Sequence, residues 1–251
     1  MPYLEYNDVK LHYMTEGDPT KPPLVLLHWF MGSYQTWYDI GWVRQLQPYF
    51  YLIIPDLRGY GQSTKFYDPQ AYQPENHVRD IRELLAVLDQ TDAHFFGYSM
   101  GGRIAFALGA YAPDLVRSLV IGGMHPYGSD SIPTDLNERI KLLEQGMEPL
   151  LRRYGIGPKS VFERMAENDA QALQADTRQT KRWPDLSPAL EHFTQSVLIF
   201  VGRKDGFYTG ARQISQQLPH GRFVAFTGET HRTAFLKRKL LWPHLKRFYN
   251  L

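Results

Sequence analysis

The sequence predicts an α/β protein with a mostly parallel central sheet and helices on both faces. Three observations carry that expectation. Short apolar runs at Leu24 to Leu27, Tyr51 to Ile54, His94 to Phe96, Leu119 to Ile121, Val197 to Val201 and Phe223 to Phe226 are continuous rather than alternating. They are rich in β-branched or aromatic residues, as strands buried on both faces are. The stretches between them are long enough for crossover helices, and several carry apolar residues at helical spacing.

Along the chain, Tyr3 to Tyr13 alternates apolar with polar and reads as an antiparallel hairpin turned at Asn7-Asp8. Glu75 to Leu88 sets Val78, Ile81, Leu84, Leu85 and Leu88 on one helical face, and Arg103 to Tyr111 and Lys239 to Tyr249 read similarly. One interval is too long for a crossover: roughly seventy residues without a strand signal separate Gly122 from Ser196. Within it, Leu136, Ile140, Leu143, Met147 and Leu150 fit one helix, opened by Ile132-Pro133-Thr134, while Val161 to Met165 and Ala170 to Leu173 suggest two shorter ones. We read residues 127–186 as an inserted helical cap or lid, and residues 1–126 and 187–251 as the core. The alternative is that these helices merely cover a sheet face.

Composition excludes several classes. The 251 residues carry 28 basic and 26 acidic side chains, a net charge of +2, which leaves no electrostatic footprint for nucleic acid or an anionic membrane. The basic cluster Lys237, Arg238, Lys239 reads as a solvated face. With no cysteine there is no disulfide framework, thiolate nucleophile or cysteine-based zinc site. No apolar run has bilayer length and the first residues lack a signal-peptide pattern, so a soluble, cytoplasmic protein is expected. No His, Asp or Glu cluster has metal-ligand spacing, and the glycines match neither a phosphate loop nor a dinucleotide fingerprint. No metal or cofactor is expected.

In open parallel sheets ligands bind outside the carboxyl ends of the strands. The segments just after the apolar runs contain His28-Trp29-Phe30, Asp56 with Gly59-Tyr60-Gly61, Gly97-Tyr98-Ser99-Met100-Gly101, Gly202-Arg203-Lys204-Asp205 and Glu229-Thr230-His231. A serine, a carboxylate and a histidine therefore fall on one sheet edge. Gly97-x-Ser99-x-Gly101 is a weak motif alone, but it gains weight between a strand and a helix, where a tight turn exposes the hydroxyl. Small residues two before and two after the serine avoid backbone collisions.

With GYSMGG, DLRGYGQS, GRKD and GETHR in this order, the chain resembles the α/β-hydrolase fold superfamily over nearly its whole length. The resemblance implies Ser99 as nucleophile, Asp205 as acid, His231 as base, and no cofactor. It also implies backbone N–H groups of Phe30 and Met100 as the oxyanion hole, with His28 and Asp56 in structural roles. Trp29 stands where that pattern usually has glycine; the loop is expected to take an ordinary conformation with the ring packed or lining the pocket. His125 reads as a turn or cap-hinge residue, and Glu229 lies too close in sequence to His231 to orient it.

The roles agree with elementary chemistry, since a serine hydroxyl needs a base in hydrogen-bond reach and a carboxylate to steer that base. The expected function is a cofactor-independent serine hydrolase of an ester or lactone. Trp29, Phe30, Met31, Tyr34, Trp37, Tyr98, Met100, Phe207 and Tyr208 suggest an apolar small-molecule pocket, with Trp29, Tyr98 and Phe207 as substrate contacts. Serine at 99 argues against epoxide hydrolase or haloalkane dehalogenase chemistry, where relatives use aspartate. C–C bond hydrolysis, a lyase reaction on the same site, and a non-catalytic small-molecule receptor remain open, as do the substrate's identity and the oligomeric state.

Overall fold

The computed structural model describes residues 2–155 and 159–251, so positions 156–158 of the proposed insertion lie outside the described residues. The strands are β1 (Tyr3–Tyr6), β2 (Val9–Glu16), β3 (Pro23–Leu27), β4 (Tyr51–Pro55), β5 (Ala93–Tyr98), β6 (Val116–Gly122), β7 (Ser196–Gly202) and β8 (Gly221–Phe226). They form one sheet in the order β1-β2-β4-β3-β5-β6-β7-β8. The β1–β2 and β2–β4 pairs are antiparallel, and all pairs from β4 to β8 are parallel. Every residue of β3 and β4 is buried, as a central strand covered on both faces must be. β8 is the exception: at the sheet edge only Phe226 is fully buried, so its continuous apolar run overstated its burial.

The core helices are α1 (Tyr34–Asp39), α2 (Trp42–Leu46), α3 (Pro74–Val87) and α4 (Met100–Tyr111). Between β6 and β7 lie α5 (Leu136–Glu144), α6 (Met147–Tyr154), α7 (Lys159–Ala166) and α8 (Ala170–Thr180). The chain ends with α9 (Tyr208–Gln217), α10 (His231–Ala234) and α11 (Arg238–Tyr249). The single helix expected over Leu136 to Leu150 is two. Gly146 adopts φ 100°, ψ −170°, a conformation open essentially to glycine alone, and breaks the run despite its unbroken apolar spacing. The region 127–186 starts and ends at one place, where Leu186 N–H donates to Pro126 C=O at 3.0 Å. Of the basic cluster, Lys237 and Lys239 are exposed as read, but Arg238 folds back onto Gln45 Oε1.

The chain places β4 on one side of β3 and β5 on the other, so the loops after β3 and β5 diverge and leave a crevice at their carboxyl ends. Close approach of α4 to β3 sets its width. A Cβ on Gly101 would lie 2.1 Å from Leu27 O, and one on Gly97 2.3 Å from Gly101 O. Gly101→Ala must therefore push α4 off β3. Overpacking typically costs 1–3 kcal/mol, and a backbone clash should put this variant near about 3 kcal/mol, read as a lower urea midpoint with loss of activity.

Burial also keeps histidines neutral. His94 of β5, with Nδ1 2.7 Å from Ser118 Oγ and its ring against Phe50 and Tyr249, has its pKa lowered to about 4, mainly by desolvation. The unfolded chain titrates near the ordinary value of about 6.5. Below that pH the unfolded state binds a proton the folded state refuses, so stability is lost as pH falls. The slope is about 1.4 kcal/mol per pH unit until the folded value is reached. Denaturation midpoints between pH 7 and pH 4.5 should fall less steeply in His94→Asn than in the parent protein.

Candidate active site

Ser99 sits between β5 and α4 at φ 53°, ψ −115°. A β-carbon disfavours that conformation by about 1–3 kcal/mol. It is held by Ser99 N–H donating to Gly122 C=O at 2.8 Å and Arg103 N–H donating to Ser99 C=O at 2.9 Å. His231 begins α10, whose preceding residue Thr230 closes a reciprocal cap with Thr233. Tyr98 Oη, 2.6 Å away, donates to His231 C=O and fixes that turn over the elbow. His231 Nε2 lies 3.0 Å from Ser99 Oγ, and Nδ1 lies 2.9 Å from Asp205 Oδ2. The network assigns the imidazole proton to Nδ1, donating to Asp205, so that Nε2 accepts from the serine hydroxyl. Asp205 is 5% exposed, and its Oδ1 accepts Phe207 N–H at 3.0 Å. The structure thus brings together the three residues expected to form a triad.

The rival carboxylates are elsewhere. Glu229 turns outward to Lys237 at 3.4 Å. Asp56 is fully buried and accepts the N–H groups of Tyr34 and Gln62 while meeting His12 Nδ1 at 2.9 Å, which ties together the loops after β3 and β4. His28 is also fully buried: its Nδ1–H donates to Trp29 C=O at 2.8 Å and its Nε2 accepts Leu57 N–H at 3.1 Å. Both nitrogens are used only by the neutral ring, and burial lowers its pKa accordingly. His125 donates Nε2–H to Ser131 C=O at 3.2 Å and stacks near Phe207, at the start of the inserted helices rather than at the serine.

The loop after β3 carries its unusual dihedral at Met31, φ 68°, not at Trp29. Trp29 is 6% exposed, packs edge-on against Phe235 with ring centroids 4.8 Å apart, and borders the cavity. Packing and pocket lining are therefore both true of this ring. The Phe30 and Met100 amides have no acceptor among the described residues. Met100 opens α4, where the helix dipole favours negative charge.

A cavity of about 140 Å³ opens beside Ser99 and His231. Trp29, Phe30, Met31, Tyr98, Met100 and Phe207 border it as expected. Tyr34, Trp37 and Tyr208 do not: Trp37 is wholly in the core against Phe96 and Phe235, and Tyr208 packs on Phe223. The inserted helices contribute Leu136, Arg139, Tyr154, Met165 and Asp176, and Arg103 of α4 borders it from the core. The three charged groups were not anticipated. A charged residue is ordinarily read as facing solvent, even though Arg139 lies three after Leu136 and four before Leu143, and Asp176 three after Leu173, on the apolar faces of their helices. Among the described residues no group of three or more His, Asp or Glu could hold a metal ion, and no helix is long and apolar enough to cross a membrane.

Residues 22–182 match the α/β hydrolase fold family. Among curated relatives, the chain is 28% identical over 116 residues to epoxide hydrolase 4 of Mus musculus, covering 45% of this chain but only 31% of that protein. It is 27% identical over 244 residues to the pimeloyl-(acyl-carrier protein) methyl ester esterase of Vibrio vulnificus, covering 88% of this chain and 91% of that one. The solved enol-lactonase of Burkholderia xenovorans LB400 superposes with a TM-score of 0.87 over 100% of both chains at 21% identity, a likeness of fold. With the match spanning well over half its length, the chain belongs to the α/β hydrolase fold family.

Proposed function

We propose that the protein is a cofactor-independent serine hydrolase of carboxylic esters or lactones, working through an acyl-enzyme. The observation that carries this reading is the unbroken series Ser99 Oγ to His231 Nε2 at 3.0 Å and His231 Nδ1 to Asp205 Oδ2 at 2.9 Å, launched from a strained elbow. His231 takes the hydroxyl proton as Ser99 Oγ attacks the carbonyl carbon, and Asp205 steadies the resulting imidazolium. The oxyanion forms between the Phe30 and Met100 amides, where preorganised donors stabilise developing charge. The C–O bond then breaks, with the proton passing from His231 to the leaving alkoxide; in a lactone that oxygen stays tethered. Water, deprotonated by His231, releases the acid and restores Ser99. Relatives named as esterase and enol-lactonase support this reading, whereas serine at position 99 speaks against the epoxide chemistry named in another.

A serine-directed fluorophosphonate should add one adduct to the wild-type protein, detected by intact mass, and none to Ser99→Ala. An unlabelled, folded wild type would sink the nucleophile assignment. Asp205→Asn should lower kcat on the order of 10⁴-fold if this acid behaves as in serine proteases; near-normal turnover would move the acid elsewhere.

The region 127–186 acts, on this reading, as a cap that selects substrates. It is pinned to the core at its rim by Arg164 to Asp39, Asn168 to Met31 C=O and Trp183 Nε1 to Tyr72 C=O. Its side chains complete the cavity without reaching the triad hydrogen bonds. Met165→Ala removes three heavy atoms from the pocket wall and should shift the ratio of kcat/KM between hexanoate and acetate esters toward the longer chain by at least about tenfold, the lower end of what one methylene is worth in an apolar pocket. An equal loss on both esters would mark Met165 as structural only.

A further inference from the structure

The cavity holds charge for which ester cleavage has no use. Arg103 lies one helical turn after Ser99 and is 4% exposed, yet among the described residues none of its three guanidinium nitrogens has a hydrogen-bond partner. A guanidinium presents five donors, and burying them unmatched is unfavourable. Its guanidinium carbon lies over the Trp183 ring, 5.0 Å from the ring centroid. Arg139 of α5 borders the same cavity, partly exposed to it, with its guanidinium carbon 4.3 Å from the centroid of Phe30 and its Nε also unpartnered.

The charges do not balance. Asp176 of α8 is the buried acid facing both arginines; it is 3% exposed, accepts from the Tyr60 hydroxyl and hydrogen-bonds to neither guanidinium. Asp185 acts on Arg103 from an exposed position. Arg232 adds positive charge at the rim while donating to Arg153 C=O, and burial keeps His77 neutral. Desolvation lowers Arg103 to about 10 and lifts Asp176 to about 6, as expected for groups whose charges are incompletely matched. Arg103 and Arg139 against Asp176 leave a single positive charge in the cavity, which suits a monoanion better than a dianionic phosphate. Guanidinium groups recognise carboxylates through paired N–H donors.

We propose that Arg103 and Arg139 form a carboxylate-binding subsite, so that the substrate is a short ester or lactone carrying a free carboxylate beyond its scissile carbonyl. Which end reacts rests on the serine-hydrolase reading; the anion site does not. A cavity near 140 Å³ is of the size that accommodates a small molecule such as benzene.

The test compares monomethyl succinate, glutarate and adipate with methyl butanoate, pentanoate and hexanoate, so that each pair differs only by carboxylate against methyl. Binding is measured calorimetrically on Ser99→Ala protein, and turnover on wild type. At least one half-ester should bind at least tenfold tighter than its neutral partner, with the same preference in kcat/KM. Arg103→Met and Arg139→Met, each placed in both backgrounds, should reduce the preference below threefold, and Arg103→Lys should retain part of it. Equal binding of every pair, or a preference untouched by both methionine variants, would overturn the subsite. Should Arg103→Met fail to fold, Arg139→Met and Arg103→Lys decide the question. Anion-selective binding without turnover would fault the hydrolase reading alone, and turnover without selectivity would fault the subsite alone.

Discussion

A serine at φ 53°, ψ −115° returns to an ordinary backbone conformation unless its neighbours prevent it, and here they form a continuous restraint. Ser99 N–H is held by Gly122 C=O at the end of β6, and Gly123 N–H by Phe200 C=O in β7. Beyond β7, Arg203 N–H donates to Phe226 C=O, and Lys204 N–H to Glu229 C=O. Four successive strand ends are thereby linked by backbone hydrogen bonds just where they release Ser99, Asp205 and His231. The spacing of the triad is a property of the sheet edge rather than of three flexible side chains. That is how a scaffold holds reacting groups in place before reaction.

A second set of contacts fixes the oxyanion side. Phe235, one turn after His231, meets the rings of Trp29, Trp37, Phe96 and Tyr98, with centroids 4.5 to 6.3 Å from its own. Those rings belong to the loop after β3, to α1, and to β5. Movement of the histidine segment would therefore disturb both the elbow and the oxyanion loop. On the opposite side His28 and Asp56 pin the same loop with buried hydrogen bonds. Trp29 fits this arrangement because the dihedral demand falls on Met31, leaving position 29 free to carry a large ring.

The parts legible in the sequence were those set by local pattern. Continuous apolar runs located the parallel strands, and their order placed Ser99, Asp205 and His231 on one edge. Helices α1 and α2 were not read, because five or six residues are too few to display a period. The break at Gly146 was hidden because the apolar spacing continues across it. The pocket aromatics were overcounted for a related reason: composition shows that Trp37 and Tyr208 are large and apolar, but only the packing tells core from cavity. Arg103 was missed most completely. Helix α4 is buried continuously from Gly101 to Gly109, so it offers Arg103 no solvated side, whereas an arginine in a sequence is ordinarily read as exposed.

Asp205 and Asp176 show how far environment outweighs residue type. Both are buried aspartates bordering one site. Two N–H groups converge on Asp205, one from the imidazole and one from the Phe207 backbone, and that arrangement steers a base. Among the described residues Asp176 accepts from a phenol, that of Tyr60, and burial lifts its pKa to about 6. Its position between two arginines suits the balancing of charge in a binding pocket rather than the orientation of a catalytic group. Asp205 is supplied by the sheet edge, Asp176 and Arg139 by the inserted helices. On the proposed reading, part of the pocket's charge comes from segments apart from the triad, so it can change through residues 127–186 while the hydrogen bonds linking Ser99, His231 and Asp205 stay as they are. Such a division lets one scaffold serve many substrates, and on the proposed reading it makes the inserted helices and Arg103 the places where substrate identity is written.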